Sequence, residues 1–224
     1  MAAKHLIVTL DGPAGAGKST VAQGLAKRLG VTYLDTGAMY RALTLKALRL
    51  KLDLADEKAL SILAKKTRIG FKQMSDGSLH VVLDGKDVAK AIRSQEVTNN
   101  TFYAARTPKV REVMVKQQKA IGKAQSLVSD GRDQGTVVFP KATYKFYVDA
   151  DFEERFQRRL KELKEAGKAV DAKQLHADMQ DRDQKDFSRK VGPLKKADDA
   201  VTIDSSGLTV EQTVDKIMRY IKPA

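Results

Sequence analysis

A glycine-rich segment near the start of the 224-residue chain has the residue types and spacing of a phosphate-binding loop. Residues 12–19 read Gly-Pro-Ala-Gly-Ala-Gly-Lys-Ser and match the pattern G-x-x-x-x-G-K-[ST]. In such a loop the glycines let consecutive backbone N–H groups converge on a phosphate at a helix N-terminus, where the helix dipole favours negative charge. The segment therefore predicts a nucleotide-phosphate site.

Two side chains of this loop have predicted roles of their own. Lys18 supplies a cation to the β- and γ-phosphates, and the Ser19 hydroxyl can ligate Mg²⁺, directly or through a water. The alternative is a tight glycine turn with a solvent-exposed lysine. Because the loop follows a predicted strand and opens a predicted helix, its context favours the phosphate site. The loop alone does not name a reaction, since motors, GTPases and small-molecule kinases share it.

The elements predicted around the loop alternate between strand and helix. Residues 6–10 are a β-branched apolar run ending in a turn, and apolar residues then recur at helical spacing from Lys18 to Gly30. This alternation predicts a parallel β-sheet flanked by helices, a three-layer α/β/α fold. We expect further strands at 31–34, 126–129, 144–148 and 201–204, further helices at 38–50, 109–121, 152–166, 171–187 and 209–221, and an antiparallel insert at 67–84 with its turn at Ser75-Asp76-Gly77-Ser78.

Arginines follow two of these strands. Ligands of an open α/β sheet bind beyond the carboxyl ends of its strands, so Arg41 and Arg132 are expected on the same rim as the phosphate loop. A guanidinium binds a phosphate monoester with two hydrogen bonds, and several suit an acceptor that is itself a nucleotide. The alternative for any single arginine is a surface charge without a role in binding. For Arg111, which lies on a predicted helix, the sequence does not decide between these two interpretations.

Charged helices follow in the last third of the chain. Arg182, Asp186 and Arg189 are spaced to share one helix face, and so are Arg155 and Arg159. Ion pairs within each helix are the alternative to a functional role for both sets.

The composition limits the class of protein. The formal charge is +13, cysteine is absent, and the three histidines show no ligand spacing, which disfavours disulfide, thiol and histidine-metal chemistry. The N-terminal apolar run is too short for a signal peptide and no segment reaches membrane-spanning length, so we expect a cytoplasmic protein that does not bind membranes. The excess positive charge suits either nucleic acid or small anionic ligands. With few aromatics and no tryptophan, a nucleic-acid stacking surface is not expected.

Three motifs together resemble the short-type bacterial cytidylate kinase family of nucleoside monophosphate kinases, within the P-loop NTPases. They are the loop Asp11 to Lys18, the segment Leu34 to Arg41, and the segment Asp130 to Pro140, to which the Arg-Asp-x-x-Asp-x-x-Arg run Arg182 to Arg189 adds a fourth match. The resemblance spans nearly the whole chain. It implies transfer of the ATP γ-phosphoryl group to CMP or dCMP, with Mg²⁺ as cofactor, by a monomer.

The resemblance also assigns residues. It implies a core (1–35, 106–149 and 193–224), a monophosphate-binding domain with the antiparallel insert (36–105), and a helical lid (150–192). The residues that would bind ATP are Gly12, Pro13, Ala14, Gly15, Ala16, Gly17, Lys18, Ser19, Thr20, Arg155 and Arg159. The residues that would bind CMP are Thr36, Tyr40, Arg41, Arg111, Arg132, Asp133, Arg182, Asp186 and Arg189. The catalytic residues would be Lys18, Arg132, Arg182 and Arg189, and Ser19 would ligate Mg²⁺.

Within the acceptor set, Arg41 and Arg132 would hold the phosphate. Arg111 and Asp133 would read the cytosine with help from Arg189, and Arg182 with Asp186 would contact the sugar. Where the family often has a serine at the base, this chain has Phe102 beside Thr101, so that role is not carried over. Three rivals stay open: the same fold with UMP or a small metabolite as acceptor, an RNA-binding NTPase, and a non-catalytic nucleotide sensor.

Overall fold

The secondary structure alternates as the sequence predicts. A computed structural model describes residues 5–73 and 79–222. In chain order its strands are β1 (Ile7–Asp11), β2 (Thr32–Asp35), β3 (Ile69–Gln73), β4 (Leu79–Leu83), β5 (Lys86–Asp87), β6 (Leu127–Gly131), β7 (Tyr144–Asp149) and β8 (Val201–Asp204). Its α-helices are α1 (Lys18–Leu29), α2 (Thr36–Arg49), α3 (Glu57–Lys65), α4 (Gln95–Arg106), α5 (Pro108–Ala124), α6 (Phe152–Glu165), α7 (Ala172–Ser188) and α8 (Val210–Met218).

One of two compact units, Met1–Leu34 with Gly122–Ala224, is built on a five-stranded sheet. The strand order is β2-β6-β1-β7-β8, and β1 pairs in parallel with both β6 and β7. Helix α1 packs against β6 and α8. Leu10, Leu25, Phe146 and Ile203 are fully buried in this unit, and each stabilises the folded state by about 1.5–3 kcal/mol. The predicted parallel sheet flanked by helices is confirmed.

The other unit, Asp35–Ile121, has an apolar core of its own. An antiparallel sheet in the order β3-β4-β5 packs with α2 and α4 around a cluster that includes Leu45, Val81, Leu83 and Ile92. The predicted antiparallel insert is thus confirmed, and the short β5 adds a third strand. The turn expected at Ser75-Asp76-Gly77-Ser78 lies outside the described residues.

Two helices of the second unit were not predicted. Both α3 and α4 begin at a side chain that caps the first turn: Asp56 accepts a hydrogen bond from the Ala59 amide at 2.9 Å, and Ser94 accepts one from the Val97 amide at 3.2 Å. The same device starts α2 two residues earlier than predicted, because the Asp35 carboxylate accepts from the Ala38 amide at 2.8 Å. Thr36 therefore lies inside the helix.

The expectation that Arg182, Asp186 and Arg189 share one helix face is wrong for Arg189. Helix α7 ends at Ser188, and Arg189 has an extended backbone with φ −62° and ψ 137°. The chain then turns back, and the Leu194 amide donates to the Asp186 carbonyl at 2.7 Å, which satisfies one of the open carbonyls at the helix end. Arg189 is thus placed by this turn and not by the helix.

No α-helix in residues 5–73 and 79–222 is long and apolar enough to cross a bilayer. The functional boundaries, with a monophosphate-binding domain at 36–105 and a lid at 150–192, stay predictions.

Gly12 marks the closest backbone approach between the phosphate loop and the sheet. Its φ is +149°, and a Cβ added to it would lie 1.9 Å from the Val148 carbonyl oxygen of β7. Gly30, at the end of α1, also has a positive φ, of +65°, but an added Cβ would meet nothing within 4 Å. Gly12 therefore carries a steric constraint that Gly30 lacks.

We expect Gly12→Ala to lower the free energy of unfolding by about 3 kcal/mol or more, because strain and overpacking add. Gly30→Ala is the matched control and is expected to lower it by only about 1–2 kcal/mol, the penalty of a left-handed backbone alone. Urea denaturation of both variants measures the difference. Equal losses would contradict the close approach at Gly12.

Candidate active site

The predicted phosphate loop lies between β1 and α1. Gly15 and Gly17 have positive φ values of 78° and 77°, which a residue with a side chain rarely adopts. Gly17 is the N-cap of α1, so no side chain at that position accepts hydrogen bonds from the amides of the first turn. Those N–H groups are thereby available to an anion.

Lys18 is buried and its ammonium folds back onto the loop, where it donates to the Pro13 carbonyl oxygen. Burial lowers the pKa of Lys18 well below its ordinary value, and the positive charge of Arg132 lowers it further. A phosphate group placed in the loop would stabilise the charged ammonium and raise this pKa again. The Lys18 amine thus lies next to the anion site, and binding of a phosphate would favour its charged form.

Ser19 is paired with a carboxylate that was not predicted as a site residue. Its hydroxyl donates to Asp130 Oδ2 at 2.7 Å, and the Tyr33 hydroxyl donates to Asp130 Oδ1 at 2.9 Å. Asp130 lies near the end of β6, directly beside Leu10 of β1 in the parallel register. A hydroxyl and a carboxylate are hard oxygen ligands of the kind that Mg²⁺ prefers, so this pair fits that ion.

The structure brings three of the predicted arginines of the first unit, Arg132, Arg182 and Arg189, close to the Asp186 carboxylate. Arg132 Nε donates to Asp186 Oδ2 at 2.7 Å, and Arg189 Nη1 lies 3.7 Å from Asp186 Oδ1. Arg189 also reaches Asp133, with Nη2 3.9 Å from Oδ1, and both of these side chains are only 5% exposed. Asp133 and Asp186 are therefore held in a cationic surrounding.

The pKa of Asp186 shows how strong that surrounding is. Burial alone would raise the pKa, but the charges of Arg132, Arg182 and Arg189 outweigh burial and hold it below the ordinary value of an aspartate. The cluster holds three guanidinium groups and two carboxylates, Asp186 and Asp133, so it keeps a net positive charge. Such a cluster can bind a phosphate or neutralise charge that develops during phosphoryl transfer.

Arg155, on α6, contacts the phosphate loop although the two are 141 residues apart in the sequence. Its Nη1 donates to the Ala14 carbonyl oxygen at 2.8 Å and to Asp183 Oδ2 at 2.6 Å. Asp183 Oδ1 in turn accepts from the Ala14 amide at 3.3 Å. Helices α6 and α7 are thus attached to the loop backbone through a buried ion pair, and Asp183 is a second carboxylate that was not predicted.

Arg159, predicted together with Arg155, lies in a different surrounding. It pairs with Glu162 at 2.8 Å on the surface of α6, so the ion pair within the helix that the sequence left open is present for this arginine. The ATP contacts assigned to Arg155 and Arg159 stay predictions.

The second unit holds the remaining predicted residues. Arg41 Nη2 lies 3.7 Å from Asp35 Oδ2, and its Nε is buried without a hydrogen-bond partner in the described part of the chain. The guanidinium of Arg111 lies over the ring of Tyr40, 5.7 Å from its centroid, and Arg111 is buried. Thr36, in the first turn of α2, is buried as well. Tyr40 and Arg111 are thus brought together by α2 and α5.

Phe102 is in contact with a cation that the sequence did not single out. The Arg106 guanidinium lies 5.1 Å from the ring centroids of both Phe102 and Tyr103, one turn earlier on α4. Cation–aromatic contacts at this distance stabilise by about 0.5–2 kcal/mol, depending on burial. The ring at position 102 is therefore packed against its own helix.

The arrangement in the first unit defines a class of protein: a P-loop NTPase fold, with a phosphate loop after the first strand of a parallel sheet and an arginine cluster in the same unit. A solved structure, "uncharacterized protein from Eubacterium ventriosum ATCC 27560", is similar in fold, with a TM-score of 0.54 and 15% identity over 97% of this chain and 98% of that one. It supports the fold alone.

Comparison with known sequences is more specific. The family model described as "Cytidylate kinase" matches residues 8–223. A cytidylate kinase of Desulforamulus reducens is 48% identical over 98% of this chain and 98% of its own, and one of Geobacillus sp. (strain WCH70) is 49% identical over 97% and 96%. The chain belongs to the cytidylate kinase family, whose members are nucleoside monophosphate kinases. The resemblance drawn from the motifs is thus confirmed.

A buried carboxylate with a raised pKa lies immediately before the phosphate loop. Asp11 is 3% exposed, and burial raises its pKa to about 6, against the opposing effect of two backbone hydrogen bonds. Because the folded state then binds this proton more tightly than the unfolded chain, the Asp11 contribution to stability is fully present below pH 3.8 and is lost as the pH rises through about 6.

We therefore expect wild type to lose up to about 3 kcal/mol of unfolding free energy relative to Asp11→Asn as the pH rises from 4 to 7. Asparagine at this position cannot titrate, so it removes the dependence. Urea denaturation of both proteins at several pH values in this range measures it. A difference between them that does not change with pH would show that the Asp11 pKa is not raised.

Proposed function

We propose that the chain transfers the γ-phosphoryl group of ATP to CMP and to dCMP, with the residue roles set out below. The observation that carries these roles is the arginine cluster on Asp186, in the same unit as a loop built to hold phosphates. Family membership supports the choice of substrates. Two polyanionic substrates and a transferring phosphoryl group need this density of positive charge.

In the donor site, the loop amides and Lys18 would bind the β- and γ-phosphates. Lys18 now donates to the Pro13 carbonyl, and it would exchange this contact for the phosphate oxygens when ATP binds. Ser19 and Asp130 would hold Mg²⁺, which when bound offsets charge on the β- and γ-phosphates. Arg155 and Arg159 would lie over the nucleotide after their present contacts with Asp183 and Glu162 rearrange.

In the acceptor site, Arg132 would bind the CMP phosphate. Arg182 and Asp186 would contact the sugar, and Arg132 would pass from Asp186 to the phosphate, a charge of the same sign. From the second unit, Arg41 would bind the phosphate, and Thr36, Tyr40 and Arg111 would complete the acceptor site. These four assignments rest on the resemblance.

Asp133 would select the base. Cytosine offers an N4 amino donor next to the acceptors N3 and O2, so a carboxylate facing N4 and a guanidinium facing N3 and O2 are complementary. Arg189, which lies near Asp133, and Arg111 would supply the guanidinium side. Uracil presents O4 to the carboxylate and leaves a buried charge without a donor, which disfavours it.

No side chain needs to act as a nucleophile in this reaction. A phosphate oxygen of CMP attacks the γ-phosphorus of ATP in line, the bond to the β,γ-bridging oxygen breaks, and ADP leaves. The protein contributes position and positive charge: Lys18, Arg132, Arg182 and Arg189 would surround the transferring group. We further propose a monomeric cytoplasmic enzyme without a nucleic-acid partner.

The proposal predicts an order of acceptors and its dependence on Asp133. In a coupled ADP-release assay, CMP and dCMP should be phosphorylated much faster than UMP or AMP. Asp133→Ala should raise the CMP KM about 10–100-fold and bring CMP and UMP closer together, because a hydrogen bond to a charged group is lost for cytosine only. Wild-type protein that prefers another acceptor would refute the substrate assignment. An unchanged CMP/UMP ratio in the variant would refute the role of Asp133.

A further inference from the structure

One buried side chain connects the phosphate loop to the loop that carries Arg132 and Asp133. Asp11 is the last residue of β1 and immediately precedes Gly12. Its two carboxylate oxygens are both used: Oδ1 accepts from the Gln134 amide at 2.8 Å, and Oδ2 accepts from the Gly135 amide at 2.7 Å. These amides directly follow Arg132 and Asp133 in the chain.

The segment whose amides donate these bonds is a single wide helical turn, Gln134–Val138. It is pressed against β1, since a Cβ added to Gly135 would lie 3.2 Å from Thr9 Oγ1 and 3.3 Å from Asp11 Oδ2. A second anchor comes from β6, where the Ser129 hydroxyl donates to Gln134 Oε1 at 2.8 Å. The start of the turn is therefore held from two neighbouring strands.

Keeping the Asp11 carboxylate charged at neutral pH costs free energy, although its two backbone hydrogen bonds offset part of this cost. Burial raises the pKa of the carboxyl to about 6, the charge of Asp133 raises it as well, and the opposing charge of Lys18 is a smaller effect. The charged Asp11 carboxylate therefore stabilises the folded state less at neutral pH than the protonated carboxyl does at low pH. Strained or costly groups of this kind concentrate at functional sites.

We infer that Asp11 is the positioning residue that holds Arg132 and Asp133 in register with the phosphate loop for the acceptor nucleotide. The inference rests on the proposed function, which places the acceptor at these two side chains. Asp11 itself would touch neither substrate. Its carboxylate fixes the backbone just after Asp133, so the two side chains leave the sheet from a fixed point.

Asp11→Asn tests this inference with little change in size. The two backbone N–H groups face different oxygens of Asp11, and asparagine replaces one of these oxygens with an NH2 donor. One N–H group therefore loses its acceptor, and the start of the turn should loosen. We expect the KM for CMP to rise about tenfold or more, with the KM for ATP changed by no more than about threefold. Equal rises in both KM values, or wild-type kinetics in a folded variant, would overturn the inference.

Two further variants complete the experiment. Ser129→Ala removes the second anchor of the same turn and should raise the CMP KM in the same direction by about threefold; it decides the question if Asp11→Asn fails to fold, and a wild-type CMP KM then overturns the inference. Asp204→Asn is the matched control. Asp204 ends β8 in the same way, but its carboxylate bonds to the nearby Ser206, through the amide at 2.9 Å and through the side chain, so both KM values should be unchanged.

Hydrogen exchange separates this inference from the proposed function. If Asp11 holds the turn, the Gln134 and Gly135 amides should exchange at least about tenfold faster in Asp11→Asn than in wild type, whatever the acceptor is. Faster exchange in a protein that does not phosphorylate CMP would support the role of Asp11 in holding the turn and would refute CMP as the substrate. Unchanged exchange would overturn the role of Asp11 in holding the turn, even if CMP is phosphorylated.

Discussion

The parallel register of β1 and β6 is the constraint on which the site depends. It places Asp11 beside Gly131, so that the phosphate loop and the Arg132 loop leave the sheet at the same edge and at the same level. The next residue on β1 is Gly12, whose packing against the Val148 carbonyl fixes where the phosphate loop begins. Carboxyl ends of parallel strands meet at one edge, so neither loop can move along the sheet without breaking the pairing.

Positive charge is distributed around buried carboxylates in the first unit. Asp186 lies among three arginines, Asp183 pairs with Arg155, and Asp130 accepts from Ser19 and Tyr33. These carboxylates offset part of the positive charge of the arginines and accept hydrogen bonds from the two hydroxyl groups. Several of the cations that contribute to the +13 net charge thus lie in the same unit as the phosphate loop.

Features carried by contiguous residues were predictable from the sequence. The phosphate loop is one eight-residue motif, and the parallel sheet followed from apolar runs that alternate with helical periods. The rule that ligands bind at strand ends pointed to Arg132, while Asp133 and Arg189 needed the resemblance. The helices α3 and α4 escaped prediction, although the caps Asp56 and Ser94 were visible as signals.

Contacts between distant segments could not be read in the same way. Asp11 meets Gln134 across 123 residues, Ser19 meets Asp130 across 111, and Ala14 meets Asp183 across 169. An aspartate at the end of a strand is a weak signal, since several strands here end in one. Only the three-dimensional register distinguishes Asp11, which reaches another loop, from Asp204, which bonds to its own neighbour.

The stereochemical course at phosphorus tests most directly whether donor and acceptor meet without an intermediate. ATP made chiral at the γ-phosphorus by isotopic substitution is allowed to react with CMP, and the configuration of the transferred group in CDP is determined. One in-line attack by CMP predicts inversion of configuration. Retention would mean two successive displacements through a phosphorylated side chain, and it would contradict direct transfer from ATP to CMP.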